Sequence, residues 1–131
     1  MSSKPRALPL LVYRDIQAGH DYLVNVFGFE SVAVYRDDND DVVHGELRIG
    51  ETTVYLHTEK EDDALVSPLA VQQITGGMVV HVSDVDAHYQ AAIAAGAKLD
   101  AEPVDQPYGQ REYEARDCEG HRWWFATPLE S

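Results

Sequence analysis

The spacing of apolar and polar residues predicts a strand, a helix and three more strands in the first half of the chain. An apolar run over residues 8–13 predicts a buried strand. Asp15 can cap the helix that follows, and apolar residues then recur at helical spacing as far as Phe27. Gly28 is typical of the position just after a helix. Three strands are predicted after it, over residues 29–36, 42–49 and 52–58.

The same order of elements returns in the second half. Residues 78–82 alternate in polarity as a strand does, Ser83 or Asp84 can cap a helix, and Gly96 closes that helix. Three strands follow, over residues 98–103, 110–116 and 121–127. Self-similarity over such a long period suggests two αβ units that bury a shared face.

We therefore predict one domain over residues 1–131, built from two modules. Module one covers about residues 6–58, and module two covers about residues 76–128. The polar segment 59–75 lies between them and contains Pro68, so we predict an irregular linker or a mobile flap there.

The charge balance excludes two classes of partner. The 131 residues include 23 acidic and 10 basic ones, which gives a formal net charge of -13. Such a surface repels nucleic acid and anionic membranes, so we expect neither as a partner. Two interpretations of the acidity stay open: it keeps the protein in solution, or it forms an electronegative cleft for a cationic ligand.

The single cysteine and the apolar segments indicate a cytoplasmic protein. Cys118 has no second cysteine to pair with, which suits a reducing compartment. Residues 1–9 do not have the pattern of a signal peptide, and no apolar stretch approaches the length of a membrane span.

Three stretches resemble the glyoxalase/bleomycin resistance protein/dioxygenase superfamily. Residues 12–29, which end in Phe27-Gly28-Phe29, resemble its first strand and helix, and residues 82–97 resemble the helix of its second module. The most specific stretch is Pro107-Tyr108-Gly109-Gln110-Arg111-Glu112-Tyr113 with Arg116-Asp117-Cys118-Glu119-Gly120. It is similar to a signature of bleomycin-resistance-type members, in which a proline stands where this chain has Cys118.

The resemblance implies an α+β fold in which two βαβββ modules form a curled mixed sheet around a cleft. The concave side of that sheet makes the ligand site. Many members are dimers, often with a cleft completed across the interface, so we expect a homodimer that binds a small molecule.

The resemblance also implies that the metal site of the superfamily is lost. Metal-dependent members take one His, Gln or Glu from each of four strands. The four positions fall at Leu8, at Tyr55 (or His57 with a small slip), at or near Gly77, and at Trp124. Leu8 and Trp124 cannot bind a metal ion, so we expect neither a metal nor another cofactor.

Strand alternation predicts which side chains line the cleft. His44 and Glu46 share one face, His57 shares a face with Tyr55, and Trp124 points away from its two aromatic neighbours. The predicted ligand-binding residues are Tyr35, His44, Glu46, Tyr55, His57, His81, Tyr113 and Trp124. The three strand histidines are alternatively ordinary hydrogen-bonded or solvent-facing side chains, or parts of a rearranged metal site. We expect Trp123 in the core, His121 in a structural role, and His20 and His88 on the surface.

The sequence favours a binding protein over an enzyme. It would sequester a hydrophobic, aromatic ligand that can carry a positive charge, as bleomycin resistance proteins do. The alternative is a lyase, isomerase or dioxygenase of the same superfamily, with a rearranged metal site or with general acid–base catalysis by Glu46 and one of His44, His57 and His81. A third interpretation is an interaction module with a vestigial cleft.

Overall fold

The order strand, helix, strand, strand, strand occurs twice in the structure, a computed structural model that describes residues 4–130. Module one consists of β1 (Leu10–Tyr13), α1 (Ile16–Asn25), β2 (Glu30–Arg36), β3 (Val42–Ile49) and β4 (Thr52–Thr58). Between the modules lie a 3-10 helix (Glu61–Asp63) and α2 (Pro68–Val71). Module two consists of β5 (Gly77–His81), α3 (Val85–Ala94), β6 (Lys98–Asp105), β7 (Gln110–Arg116) and β8 (Arg122–Pro128).

Both long helices begin at the predicted aspartates. The Asp15 carboxylate accepts a hydrogen bond from the backbone N–H of Ala18 at 3.0 Å, and the Asp84 carboxylate accepts one from that of Ala87 at 3.1 Å. These bonds satisfy donors that the first turn of a helix leaves free. Each of these helices has ten residues, and no helix in the described chain is long and apolar enough to cross a membrane.

Each module forms its own four-stranded mixed sheet. The strand orders are β1-β4-β3-β2 and β5-β8-β7-β6, and the first strand of each module runs parallel to the last. The prediction of an α+β fold with two βαβββ modules is confirmed. Each module forms one half of the sheet structure, and the described strands of the two halves are not hydrogen-bonded to each other.

One hydrophobic core joins the two modules. Phe27, just after α1, packs against Trp123 and Phe125 of β8, with ring centroids 5.9 and 4.9 Å apart. All three side chains are buried, so the prediction of Trp123 as a core residue is confirmed. Large aromatic rings bury much apolar area each, and their contact is therefore a main source of cohesion between the modules.

His88 packs against this core and is partly buried, so the prediction that it is a surface residue is corrected. Its ring stacks on Phe125 with centroids 4.2 Å apart. Its Nε2 donates to the backbone carbonyl of Phe27, and its Nδ1 accepts from the Tyr113 hydroxyl. Burial lowers the pKa of His88. The position follows from helical spacing, since His88 comes three residues after the buried Val85.

His20 is likewise buried, not exposed as predicted. It is 8% exposed, and its Nε2 lies 2.7 Å from the Ser31 hydroxyl on β2. Helix α1 presents it to the sheet together with Ile16 and Leu23, which are also buried. A polar side chain within an apolar stripe is stable where the neighbouring element offers a hydrogen-bond partner.

Asp117 is the polar centre of the contact between modules. Its carboxylate, 2% exposed, accepts hydrogen bonds from the Tyr13 hydroxyl on β1 and from the indole N–H of Trp123 on β8. It also accepts from the backbone N–H groups of Glu119 and His121, and His121 Nδ1 lies 3.2 Å away, which supports the structural role predicted for that histidine. Burial acts to raise the pKa of Asp117, but hydrogen bonds from His121, Tyr13 and Trp123 outweigh it and hold the pKa below its usual value.

The segment between the modules is tied to both of them. Ser67 is fully buried, and its hydroxyl donates to the Glu119 carboxylate at 2.6 Å. The same carboxylate accepts from the backbone N–H groups of Arg14 and Asp15, both at 2.7 Å. Segment 59–75 is therefore anchored at its centre. It also contains two short helices, which the sequence did not predict.

We expect Asp117→Asn to destabilise the protein by about 3 kcal/mol at neutral pH, because the amide puts a donor where five donors already converge. Since the folded pKa lies below the unfolded value of 3.8, Asp117 contributes stability above pH 3.8 and loses it as the pH falls through the folded pKa. Urea denaturation of the wild type and the variant should therefore give curves that converge in acid. The control is Asp38→Asn in the exposed turn after β2, and an equal loss of stability there would contradict the assignment.

Candidate functional site

In each module the helix covers one face of the sheet and leaves the other uncovered; we call the uncovered face the open face. In module one, α1 packs where Gly45 has no side chain, and a Cβ there would lie 3.0 Å from Ile16. Leu47, Val54 and Leu56 are buried on that same side. Strand alternation then sends the residues between them to the open face.

The open face of module one brings together five of the predicted residues. His44 lies opposite His57, and Glu46 lies opposite Tyr55, in the antiparallel register of β3 and β4. His44 Nε2 is 2.9 Å from a Glu46 carboxylate oxygen, and the His44 ring meets the Tyr55 ring edge-on at 4.9 Å. Tyr35 of β2 pairs with His44 from the other side, with centroids 5.6 Å apart. All five lie on neighbouring strands of one surface.

Trp124 lies at the middle of the open face of module two. It points away from Trp123 and Phe125, as predicted, and it is only partly buried. Its indole N–H donates to the Glu114 carboxylate on the neighbouring strand β7. A Cβ added at Gly77 on β5 would lie 2.5 Å from Cζ3 of the Trp124 ring. The ring therefore lies across the sheet, anchored on β7 and seated over the glycine of β5.

A second acidic group lies on the same face, two residues before Glu114 on β7. Glu112 is 7% exposed and accepts hydrogen bonds from the Tyr108 hydroxyl at 2.6 Å and the Gln110 amide at 2.9 Å. The bond to Glu112 raises the pKa of Tyr108. His81 Nε2 is 3.1 Å from the carbonyl oxygen of the Gln110 side chain. The predicted residue His81 thus belongs to this network, in a different sheet from His44 and His57.

Tyr113 does not lie on the open face, and the expectation that it lines the cleft is corrected. Its side chain is fully buried on the helix side of β7, against His88 and Phe125. The register of β7 places Glu112 and Glu114 on the open face instead. Sequence reasoning missed both glutamates because the loop before β7 left that register open, although their alternation around Tyr113 was a usable signal.

The described residues do not fit the metal site of the superfamily. Leu8 and Trp124 carry no metal-binding group, and the Trp124 ring occupies the space beside Gly77. Within residues 4–130 there is no group of three or more His, Cys, Asp or Glu side chains placed to hold a metal ion. We therefore derive no chemical step through a metal.

Two cavities adjoin the open face of module two. One of about 460 Å³ lies between β1, the segment before β5 and the start of β8, and its lining is mainly apolar. The other, of about 580 Å³, lies between α2 and the turn from β7 to β8. Arg122 lines both. Each volume lies within the range of small-molecule sites.

Comparison with known proteins gives consistent matches. The model of the Glyoxalase/Bleomycin resistance protein/Dioxygenase superfamily matches residues 7–125. An uncharacterized protein of Mycobacterium bovis is 29% identical over 129 residues, 96% of this chain and 85% of the relative. The crystal structure of TioX from Micromonospora sp. ML1 has a TM-score of 0.73 and 31% identity, over 97% of this chain and 98% of that one.

The bleomycin-binding protein of Streptomyces verticillus, crystallised with copper(II)-bleomycin, is similar in fold. Its TM-score is 0.67 and its sequence identity 22%, over 99% of this chain and 100% of that chain.

We expect Gly77→Ala to displace the Trp124 ring, because the new methyl group would collide with it and with the backbone carbonyl of Arg122. The variant should lose about 1–3 kcal/mol of stability and show altered indole fluorescence. Gly76→Ala is the matched control, since a Cβ there meets nothing within 4 Å. Identical melting curves and emission spectra for the two variants would contradict this placement of Trp124.

Proposed function

Because the chain belongs to the glyoxalase/bleomycin resistance protein/dioxygenase superfamily, we propose that it is a metal-free, bleomycin-resistance-like protein that sequesters a small aromatic ligand. The observation that carries this proposal is the Trp124 ring, which lies across the open face of module two and is held there by Glu114. A fixed, flat indole that is partly exposed is suited to stack on a planar ligand. Binding by such a protein would protect the cell from a toxic compound such as an antibiotic.

The charges around Trp124 support a ligand that can carry a positive charge. Glu112 and Glu114 lie on the same face as the indole, and Glu46 lies on the open face of module one. The net charge of -13 adds a long-range attraction for cations. A cationic ring would combine stacking on Trp124 with this attraction.

The bleomycin-binding protein of Streptomyces verticillus also supports a role in small-molecule binding. That protein was crystallised in complex with copper(II)-bleomycin, so one chain of similar fold binds this molecule. For this chain we propose only the binding of a small molecule, and the identity of that molecule depends on the side chains around Trp124.

We further propose a homodimer whose second subunit covers the open faces. Those faces leave large apolar side chains exposed, such as Val79 at 56% and Tyr35 at 51%. Exposed apolar patches mark association sites, and most soluble homo-oligomers close through a two-fold axis. Light scattering should give twice the mass of the chain, and a species of single-chain mass at high micromolar concentration would contradict the dimer.

We expect Trp124→Ala to weaken binding of a planar cationic dye such as proflavine roughly tenfold, since a desolvated ring contact contributes about 1–2 kcal/mol and about 1.4 kcal/mol is a factor of ten. The fold should survive, because Trp124 lies outside the core. Trp123→Ala is the matched control and should do the reverse, with a stability loss of about 3–5 kcal/mol. Fluorescence titrations and thermal melts of both variants measure this. If Trp124→Ala instead unfolds the protein while Trp123→Ala stays folded and binds the dye weakly, the roles of the two tryptophans are the reverse of those proposed.

The His44–Glu46 pair supports a second candidate, a lyase, isomerase or dioxygenase of the same superfamily. A histidine held at 2.9 Å by a carboxylate is an arrangement suited to general acid–base catalysis. Elemental analysis after mild purification separates the candidates. We expect no stoichiometric divalent metal; one Zn, Ni, Fe or Mn per chain, lost together with a measurable activity on chelation, would favour the enzyme.

A further inference from the structure

Three basic side chains lie side by side on the open face of module two. Lys98 pairs in register with Arg116, and Arg116 pairs with Arg122, across β6, β7 and β8. They are three of only ten basic residues in a chain with 23 acidic ones. Like charges directly opposite each other destabilise a sheet, so this row is unfavourable unless something compensates for it.

Asp100 compensates for only part of this charge. Both of its carboxylate oxygens accept from Arg116 Nε, at 3.1 and 3.0 Å. Arg122 Nε is 3.9 Å from the same carboxylate, beyond hydrogen-bond distance. Within residues 4–130, no carboxylate lies within 4.0 Å of the Lys98 ammonium group. In the part of the chain that the structure describes, the three basic side chains therefore have one carboxylate among them at a distance of 4.0 Å or less.

The Arg122 guanidinium group is incompletely paired inside the protein, and 29% of its side chain is exposed, so an anion can reach it from outside. Its Nε atom is buried and has no hydrogen-bond partner among the described residues. Native proteins rarely leave a buried donor unpaired, because its loss of hydration is then uncompensated. A guanidinium group presents its N–H donors in one plane, in a geometry that matches a carboxylate or a phosphate.

The cavity of about 580 Å³ gives an anion access to all three cations. Lys98, Arg116 and Arg122 line it. Asp117 and Glu119 also line it, but both side chains are almost fully buried. Their oxygens are engaged by donors inside the protein, as described above.

We propose that Lys98, Arg116 and Arg122 form a subsite for an oxyanion, a carboxylate or phosphate group carried by the ligand that stacks on Trp124. Arg122 and Trp124 are alternate residues on one face of β8, so the anionic group would sit about 7 Å from the ring. Glu114 lies in the same row as Trp124, and Glu112 lies in the next row, on the side of the ring away from the three basic residues. The favoured ligand is then a planar ring with an anionic group at one end and a positive group at the other. The part of this inference that concerns the aromatic ring rests on the proposed function, whereas the oxyanion subsite does not depend on it.

Inorganic phosphate tests the anion subsite without any aromatic group. Titration at constant ionic strength, followed by NMR of the arginine Nε–H signals, should shift the Arg122 and Arg116 signals with one saturating constant. Arg122→Gln should weaken phosphate binding at least fivefold, and Arg122→Lys should weaken it less. Arg36→Gln, on an exposed strand end next to Asp40, is the matched control and should leave binding unchanged. No phosphate response at Arg122, or equal binding by wild type and Arg122→Gln, overturns the subsite.

Two naphthyl probes test whether the anion and the ring belong to one ligand. Calorimetry should show that 2-naphthylacetate binds at least fivefold more tightly than its neutral amide, and Arg122→Gln should abolish this preference. If the wild type binds both probes equally and Trp124→Ala binds neither, the carboxylate subsite is overturned and the proposed function stands. Failure of both probes to bind the wild type counts against the proposed function, and the phosphate titration then decides the anion subsite by itself.

Discussion

The buried carboxylate of Asp117 is the interaction on which the arrangement of the two modules depends. It accepts hydrogen bonds from a hydroxyl group on the first strand of module one, from an indole N–H on the last strand of module two and from two backbone N–H groups of its own turn. An ionised group in the interior is stable only when its acceptor positions are filled, so these donors must all be in place together. The neighbouring Glu119 extends the same contact to the start of α1 and to Ser67. A short polar turn thus fixes how β1, β8 and the connecting segment meet.

The placement of the site follows from which face of each sheet the helices cover. Apolar residues at every second position are buried under α1 or α3, and the residues between them are left on the open face. On module two, these residues form successive rows across three strands: a cationic row, a row with Trp124 and Glu114, and a row with Glu112. The composition of the open face therefore follows from the alternation that builds the core, and its side chains change in character every two residues along the strands.

Much of the fold could be predicted from the sequence, because each half contains a capped helix and alternating strands that specify local structure. The aspartates at positions 15 and 84 cap the helices as expected, and Trp123 and Trp124 take opposite faces as alternation requires. What could not be predicted depends on long-range contacts. His88 packs against the core because Phe27 and Tyr113 supply hydrogen-bond partners from other elements, and Tyr113 is in the core because the loop before β7 sets that register. Likewise, the basic row appears only when three strands are aligned.

The close approach at Gly77 limits which side chains two neighbouring strands accept. A Cβ at position 77 would meet both the Trp124 ring and the backbone carbonyl of Arg122 at 2.5 Å. A smaller side chain at position 124 would therefore relieve only one of the two contacts, and the strands β5 and β8 would still have to move apart. Position 77 is thus coupled to the spacing of two strands as well as to the side chain at position 124.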